Sequence, residues 1–210
     1  MKRYQWLLAI LLILAVAPVA EAQSLGKKTE EEKAAKAEKK RDKLDQMADE
    51  TLKRLFEESP GAKDLYDKSY GYAVFDNRKT TILITTGGGK GIAVERNTGN
   101  KAYMRMASAG LSVGMGLTFY QVIFLFENKD SFTNFVEKGW EVGTGGDATA
   151  GDTGTSAKAS ATTTGDAAVG AHKSAVFTNG MAVFQFTDKG LMLQADISGT
   201  KYWKYDKINE

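Results

Sequence analysis

The chain has 210 residues, of which 42% are hydrophobic and 26% are charged, and its formal net charge is +2. This composition is typical of a globular protein rather than a disordered one, and the nearly balanced charge argues against a nucleic-acid-binding protein. The chain contains no cysteine. Disulfides, thiolate metal sites, thiol nucleophiles and a lipid-modified cysteine are therefore excluded, and the fold depends on its core alone.

Residues 1–22 have the organisation of a secretory signal peptide. Two basic residues precede an apolar run over 6–17, and Ala20 and Ala22 provide the small residues of an A-x-A cleavage site. The apolar run is shorter than the ~20 residues that a membrane-spanning helix needs. We therefore predict an exported protein of the periplasm or outer envelope, with 188 residues and a net charge of +1 after cleavage.

The next two segments differ in their apolar content. Residues 23–43 are predicted to form a charged arm, either a solvated helix or a disordered segment, because 27–43 has no large apolar side chain. From Leu44 to Phe56 apolar residues recur at helical spacing, which predicts one buried helix face and the start of a domain over 44–210. Ser59 and Pro60 are typical of the beginning of a second, shorter helix.

After Tyr70 the hydrophobic period changes to two, which predicts strands. Turn residues at Asp76–Asn77 and at 97–100 separate them, and the apolar run 119–126 suits a strand buried on both faces. The other candidate strands are GYAVF (71–75), TTILIT (80–85), GIAVE (91–95) and KAYMRM (101–106).

The remaining elements complete an α+β architecture. A short helix capped by Asp130 or Ser131 is predicted to end at Gly139, and a hairpin is predicted from strands 181–187 and 190–198. Residues 143–170 resemble a flexible linker in composition, although their pattern also allows weak strands near 147–151 and 156–163. The expected fold is N-terminal helices followed by a mostly antiparallel β body with one short inserted helix.

The sequence gives little support for catalysis. His172 is the only histidine and lies in a polar, glycine-bounded segment without a G-x-S-x-G motif, and no metal-ligand spacing occurs. The carboxylates are spread over the charged arm and the turns, so paired-acid chemistry is unsupported as well. We expect a non-enzymatic protein without a metal or another cofactor.

Residues 85–92, TTGGGKGI, allow two interpretations. Consecutive backbone N–H groups beside Lys90 are able to form an anion-binding nest, although the spacing is not that of a Walker A motif. Alternatively, glycine is needed where strands cross closely, and this structural role is favoured. The candidate structural glycine loop consists of Gly87, Gly88, Gly89 and Gly91.

Four motifs occur in a fixed order: GYAVF at 71–75, GGGKGIAV at 87–94, YMRMASAGLSVGMGL at 103–117 and GLMLQADISGTKYW at 190–203. Together they resemble the SYLF-domain family, most closely its bacterial exported branch, which is often labelled YSC84-related. The resemblance covers roughly residues 50–205 and implies that the small-residue stretch 143–170 belongs to the β body.

The resemblance also implies a peripheral membrane phospholipid as the partner, and no enzymatic activity. Eukaryotic relatives bind phosphoinositide membranes through basic residues and an amphipathic segment, which match Lys53 and Arg54 on the helix 44–56. Lys90 and Arg105 are further candidates for contact with lipid head groups. Residues 27–58 balance ten positive against ten negative charges, so we expect mainly apolar attraction. The alternative is a structural or protein-interaction module of the envelope that has no lipid ligand.

The signal-peptide prediction is tested by the mass of the mature chain. Cleavage after Ala22 is expected to leave Gln23 at the amino terminus, because the A-x-A pattern ends there. Intact-mass spectrometry of protein recovered from the envelope fraction measures this directly. The full-length mass in that fraction would contradict cleavage and would indicate an N-terminal anchor.

Overall fold

The computed structural model describes the backbone of residues 17–142, 147–149, 156–158, 176–187, 190–193 and 199–209. Within these ranges the structure does not describe the side chains of 17–28, 79–85 and 110–118 or those of a few residues in short strands. His172, most of the predicted signal peptide and most of 143–170 therefore lie outside the described residues.

The N-terminal part of the described chain is helical, as the sequence predicted. Helix α1 (Ala17–Glu58) is followed by α2 (Pro60–Lys68), which begins at the proline that the sequence indicated. The chain divides into two compact units, 1–41 and 42–210, and α1 contributes residues to both. In the first unit the described side chains are largely exposed and form ion pairs one turn apart, such as Lys33–Glu30 at 2.7 Å, as expected for a solvated helix. None of the described helices combines the length and apolar character that crossing a membrane requires.

A long β-hairpin dominates the second unit. Strands β1 (Gly71–Glu95) and β2 (Lys101–Phe126) pair antiparallel from Gly71 opposite Phe126 to Val94 opposite Lys101, with a bulge between Ile82 and Ile84. The predicted turn at 97–100 joins them, and Gly99 has a positive φ of 73° there.

Two details of the predicted strands are wrong. Asp76–Asn77 is not a turn, and 85–92 is not a loop, because both segments continue strand β1. Turn-forming residues and glycines occur inside this strand because local propensity is weaker than pairing along the whole of β2. The glycine segment is thus a structural part of the sheet.

Six shorter strands extend this hairpin into an eight-stranded, curled antiparallel sheet, which confirms the α+β class. One edge of β2 pairs with β8 (Thr200–Lys204) near Arg105 and with β6 (Met181–Thr187) near Phe124, and strands continue outward from both. The strands at 147–149 and 156–158 place those parts of the small-residue stretch in the β body. The remaining strands are β3 (Trp140–Val142), β4 (Asp147–Thr149), β5 (Ser156–Lys158) and β7 (Gly190–Leu193).

The short inserted helix is confirmed, but its cap is not the predicted one. Helix α3 (Lys129–Thr133) continues as a π-helical turn (Asn134–Lys138) that ends at Gly139, where φ is 74°. The side chain of Asn128 accepts a hydrogen bond from the Ser131 N–H at 3.0 Å and is the N-cap in place of Asp130 or Ser131. A last short helix, α4 (Asp206–Asn209), follows β8.

One face of the sheet, which we call the aromatic face, packs against α3 and the π-helical turn. Phe124 lies at its centre, with ring centroids 5.0 Å from Phe135 and 5.1 Å from Tyr202. The cluster consists of Ala73, Phe75, Ala93, Ala102, Met104, Met106, Tyr120, Val122, Phe124, Phe126, Phe132, Phe135, Val136, Trp140 and Tyr202.

The opposite face, which we call the helix face, is partly covered by α1 and α2. Asp45 of α1 pairs with Lys101 at 2.7 Å and accepts a hydrogen bond from the Tyr103 hydroxyl at 3.1 Å. Because strand side chains alternate, this face carries the other buried set of the sheet. Its buried residues and those of the helices are Leu44, Ala48, Leu52, Leu55, Ala62, Leu65, Tyr72, Val74, Ile92, Val94, Tyr103, Ile123, Leu125, Phe184 and Phe186.

Strand β1 folds back so that its first half lies beside its last half. A Cβ at Gly91 would collide with the Val74 carbonyl oxygen and the Phe75 ring, and one at Gly89 would collide with the Asn77 side chain. The side chains of Phe75 and Asn77 therefore occupy the space above these two glycines. Gly88 precedes these two glycines in the strand and lies on the helix face, where a Cβ would meet only the Met106 carbonyl oxygen at 3.9 Å.

This contrast yields a paired stability prediction. Gly91→Ala is expected to lower the free energy of unfolding by about 2–3 kcal/mol, because the new methyl group displaces Phe75 and the adjacent backbone. Gly88→Ala is expected to leave it unchanged or to raise it by about 0.5 kcal/mol, because the site has room and alanine restricts the unfolded chain. Urea denaturation of both variants measures the difference. Equal effects at the two positions would contradict the close approach at Gly91.

Candidate functional site

Two of the predicted lipid-contacting residues lie side by side. Lys90 of β1 and Arg105 of β2 are direct cross-strand partners on the helix face, and both side chains are exposed. Among the described residues, neither forms an ion pair with a carboxylate. Like charges directly opposite each other are unfavourable in a sheet. The pair is therefore a small cationic site suited to an anion.

The carboxyl-terminal segment holds an aromatic ring beside this pair. Asn209 of α4 donates a hydrogen bond from Nδ2 to the Tyr103 carbonyl at 2.7 Å, and its Oδ1 accepts one from the Tyr103 N–H at 2.8 Å. These bonds fasten α4 to the edge of β2. The ring of Tyr205 then lies 4.7 Å from the guanidinium carbon of Arg105, and Trp203 is the cross-strand partner of Arg105 on β8. The cation–π contact orients Arg105 without neutralising it.

The surface next to the cations is lined by small residues. Thr86 and Gly88 on β1 face Ala109 and Ala107 on β2, and all four are exposed. Side chains this short leave the sheet backbone open to approach by a ligand. The Gly89 position adjoins the Asp76 backbone, so the exposed Asp76 carboxylate belongs to this surface too, although it forms no ion pair with a described residue.

The other two predicted residues lie on α1, and only one of them is free to bind a ligand. The Arg54 guanidinium pairs with Glu58 at 2.8 Å and lies 4.1 Å from the centroid of the Phe186 ring, so it helps to hold the helix on the sheet. Lys53 is exposed and forms no ion pair within the described part of the chain. The apolar side of this helix, including Leu52 and Leu55, is buried.

The glycine segment does not form an anion-binding nest. Gly87, Gly88 and Gly89 are extended in the ladder opposite Ser108, Ala107 and Met106. Successive N–H groups of an extended strand point in opposite directions, whereas a nest requires them to converge. Lys90 therefore contributes its side chain alone.

An exposed aromatic residue was missed by the sequence reasoning. Phe119 is 53% exposed, and the guanidinium carbon of its cross-strand partner Arg78 lies 5.4 Å from the ring centroid. Both lie on the same face of the hairpin as Lys90. Phe119 begins an apolar run in the sequence, so its pattern indicated a buried residue and gave no sign that the cover of the helices ends before it.

The described residues contain no cluster of three or more His, Asp or Glu side chains with the geometry of a metal site.

Comparison with known proteins identifies the family. A family model described as "Ysc84: Las17-binding protein actin regulator" matches residues 107–210. The chain is also 46% identical over 160 residues to "Beta cell expansion factor A" of Aeromonas veronii, an alignment that covers 76% of this chain and 55% of that protein. The chain thus spans little more than half the length of this curated relative.

The molecule is an α+β protein whose curled antiparallel sheet has one face partly covered by helices and a cationic pair beyond that cover. It belongs to the SYLF (Ysc84) family, as the sequence motifs indicated. This is not a known enzyme family.

The electrostatic character of the pair is testable without a ligand. Lys90→Gln is expected to raise the free energy of unfolding by about 0.2–0.5 kcal/mol at low salt, because it removes a like charge opposite Arg105. The gain is expected to disappear at about 1 M salt, where charges are screened within ~3 Å. Thermal unfolding at both salt concentrations, with Lys68→Gln on α2 as the control, measures it. A salt-independent loss of stability would show that Lys90 makes a structural contact.

Proposed function

We propose that this chain is an exported, non-catalytic protein of the bacterial cell envelope that binds phospholipid at a membrane surface. Family membership supports lipid binding, because the family is linked to it. The signal-peptide pattern of residues 1–22 supports export. The observation that carries the proposal is the exposed cation pair of Lys90 and Arg105, neither of which forms an ion pair with a described carboxylate.

The cation pair provides the head-group contact. A guanidinium and an ammonium on adjacent strands are well placed to share one phosphate, with the guanidinium supplying a fork of donors. The small residues beside them, Gly88 and Ala107, permit the head group to approach the sheet. Each basic residue near an anionic membrane surface contributes ~1 kcal/mol, so this pair contributes ~2 kcal/mol. That is too little for stable binding without a further contribution.

The further contribution to membrane binding is apolar. It comes from the exposed Phe119 on the sheet rather than from the amphipathic helix that the sequence indicated. The amphipathic helix buries Leu52 and Leu55 against the sheet, so its apolar side is not available while α1 is packed. Phe119 is exposed on the same face of the hairpin as the cations, with Arg78 beside it. An aromatic ring next to a guanidinium suits the membrane interface, where the ring enters the lipid and the cation stays among the head groups.

Vesicle co-sedimentation tests the proposal. The mature chain is expected to sediment with vesicles of phosphatidylethanolamine and phosphatidylglycerol, and raised salt is expected to weaken this binding without abolishing it. Replacing both Lys90 and Arg105 by Ala is expected to lower the partition coefficient by about tenfold or more, since ~2 kcal/mol is removed. Phe119→Ser is expected to lower it further and to make the remaining binding more sensitive to salt.

A charge-matched control separates a site from general attraction. Lys68 and Lys138 are exposed on α2 and on the π-helical turn, and replacing both by Ala removes the same charge. This control is expected to keep the wild-type partition coefficient within about twofold. Equal losses in the two double variants would refute the site, and no sedimentation of the wild-type chain at either salt concentration would leave the protein-interaction module as the function.

A further inference from the structure

The aromatic face carries buried polar groups that lack a hydrogen-bond partner. Of the described side chains, those with buried polar atoms that lack a hydrogen-bond partner are Asn77, Ser108, Gln185 and Tyr202. Side chains two residues apart on a strand point to the same face. Asn77, Ser108 and Gln185 each follow by two residues a side chain of the aromatic face, namely Phe75, Met106 and Val183, and Tyr202 belongs to that cluster itself. All four therefore lie on the aromatic face. For Asn77 both the amide oxygen and the amide nitrogen are unpaired, and its side chain is fully buried.

The pairing register brings three of these groups to the same end of the sheet. Asn77 lies over Gly89, whose cross-strand partner is Met106, and Met106 is in turn the partner of Tyr202 on β8. Ser108 follows two residues after Met106 on the same face and is paired with Gly87. The Tyr202 ring lies 4.7 Å from the ring of Phe75, with its hydroxyl unpaired. The fourth group, Gln185, lies on β6 opposite Val122 and is not part of this set.

Native proteins rarely leave buried polar groups unpaired, because each one loses its bonds to water and gains nothing in return. Several such groups at the same end of one face therefore indicate an occupant that forms the missing bonds. Here the groups are an amide and two hydroxyls, which together donate and accept. An occupant must therefore also donate and accept hydrogen bonds, as a hydroxyl group does.

The site is also uncharged. Tyr120 is the cross-strand partner of Asn77, and Met106 is the partner of Gly89 and of Tyr202. The side chains of Tyr120, Met106 and Tyr202 carry no charge at neutral pH. Burial raises the pKa of the Tyr202 phenol well above its usual value, so the phenol stays protonated. A phosphate or carboxylate would lose its hydration here without meeting a counter-charge.

We propose that Asn77, Ser108 and Tyr202 form an internal binding site for a small neutral hydroxylated group, either free glycerol or the glycerol head of an uncharged lipid. Gly89 is part of this site, because a Cβ at that position would take the space of the Asn77 amide. The site lies on the opposite face of the sheet from Lys90 and Arg105. It therefore stands independently of phospholipid binding at the membrane surface.

The experiment follows the side-chain amide resonance of Asn77 by NMR in the isotopically labelled mature chain. The chain is titrated with deuterated glycerol, with 1-monooleoylglycerol in micelles, and with betaine, an osmolyte without hydroxyl groups. A saturable shift with glycerol or with the monooleoyl lipid supports the site, and the arm that responds identifies the source of the ligand. No saturable shift with either, together with cross-relaxation to water alone, would overturn the proposal and leave ordered water as the occupant.

Two conservative variants exclude an indirect effect. Tyr202→Phe and Ser108→Ala each remove one unpaired hydroxyl and keep the packing, so each is expected to weaken binding about five- to tenfold. Neither is expected to lower Tm in the absence of ligand, because these hydroxyls have no described hydrogen-bond partner to lose. Unchanged affinity in both variants would refute the site. Betaine is expected to raise Tm equally in all variants and to leave the Asn77 resonance in place.

Discussion

The close approach of the two halves of β1 is the constraint on which the rest of this structure depends. Gly89 and Gly91 have no side chains, and this absence lets Phe75 and Asn77 lie across them. A 25-residue strand would otherwise extend away from its own core. Because the strand folds back, both ends of the hairpin contribute to one aromatic face and to one helix face. The positions of the inserted helix, of α1 and of both candidate binding sites follow from this arrangement.

The two faces of the sheet differ in what covers them. Helices α1 and α2 cover the part of the helix face that carries Val74 and Ile123, which are fully buried. The cover ends before Lys90 and Arg105, so adjacent positions on the same strands change from buried apolar to exposed cationic. A membrane-binding surface at this boundary needs no rearrangement of the core. The same packing explains why Arg54, predicted to contact lipid, instead holds the helix to the sheet through Phe186.

The aromatic face combines closely packed rings with buried polar groups. Phe124, Phe126 and Phe135 pack closely and stabilise the sheet, and the Tyr202 ring packs against the same cluster. Asn77 and Ser108 contribute buried polar groups to this face, and these groups cost stability unless something binds them. Proteins retain such costly groups where they serve a function, which is the reason for placing the proposed internal site there.

The sequence by itself determined the family, the α+β class, the helix that begins at Pro60, the turn at Gly99 and the helix that ends at Gly139. These features depend on local chemistry and on hydrophobic period, which are properties of neighbouring residues. Only the tertiary structure decided that β1 is continuous through Asn77 and the glycines, because pairing with β2 overrides local turn propensity. It likewise decided that Lys90 lies opposite Arg105, that Arg54 packs on Phe186 and that Asn77 is buried. Such contacts join residues far apart in the chain. The residue pattern within one strand does not specify the pairing register that brings them together.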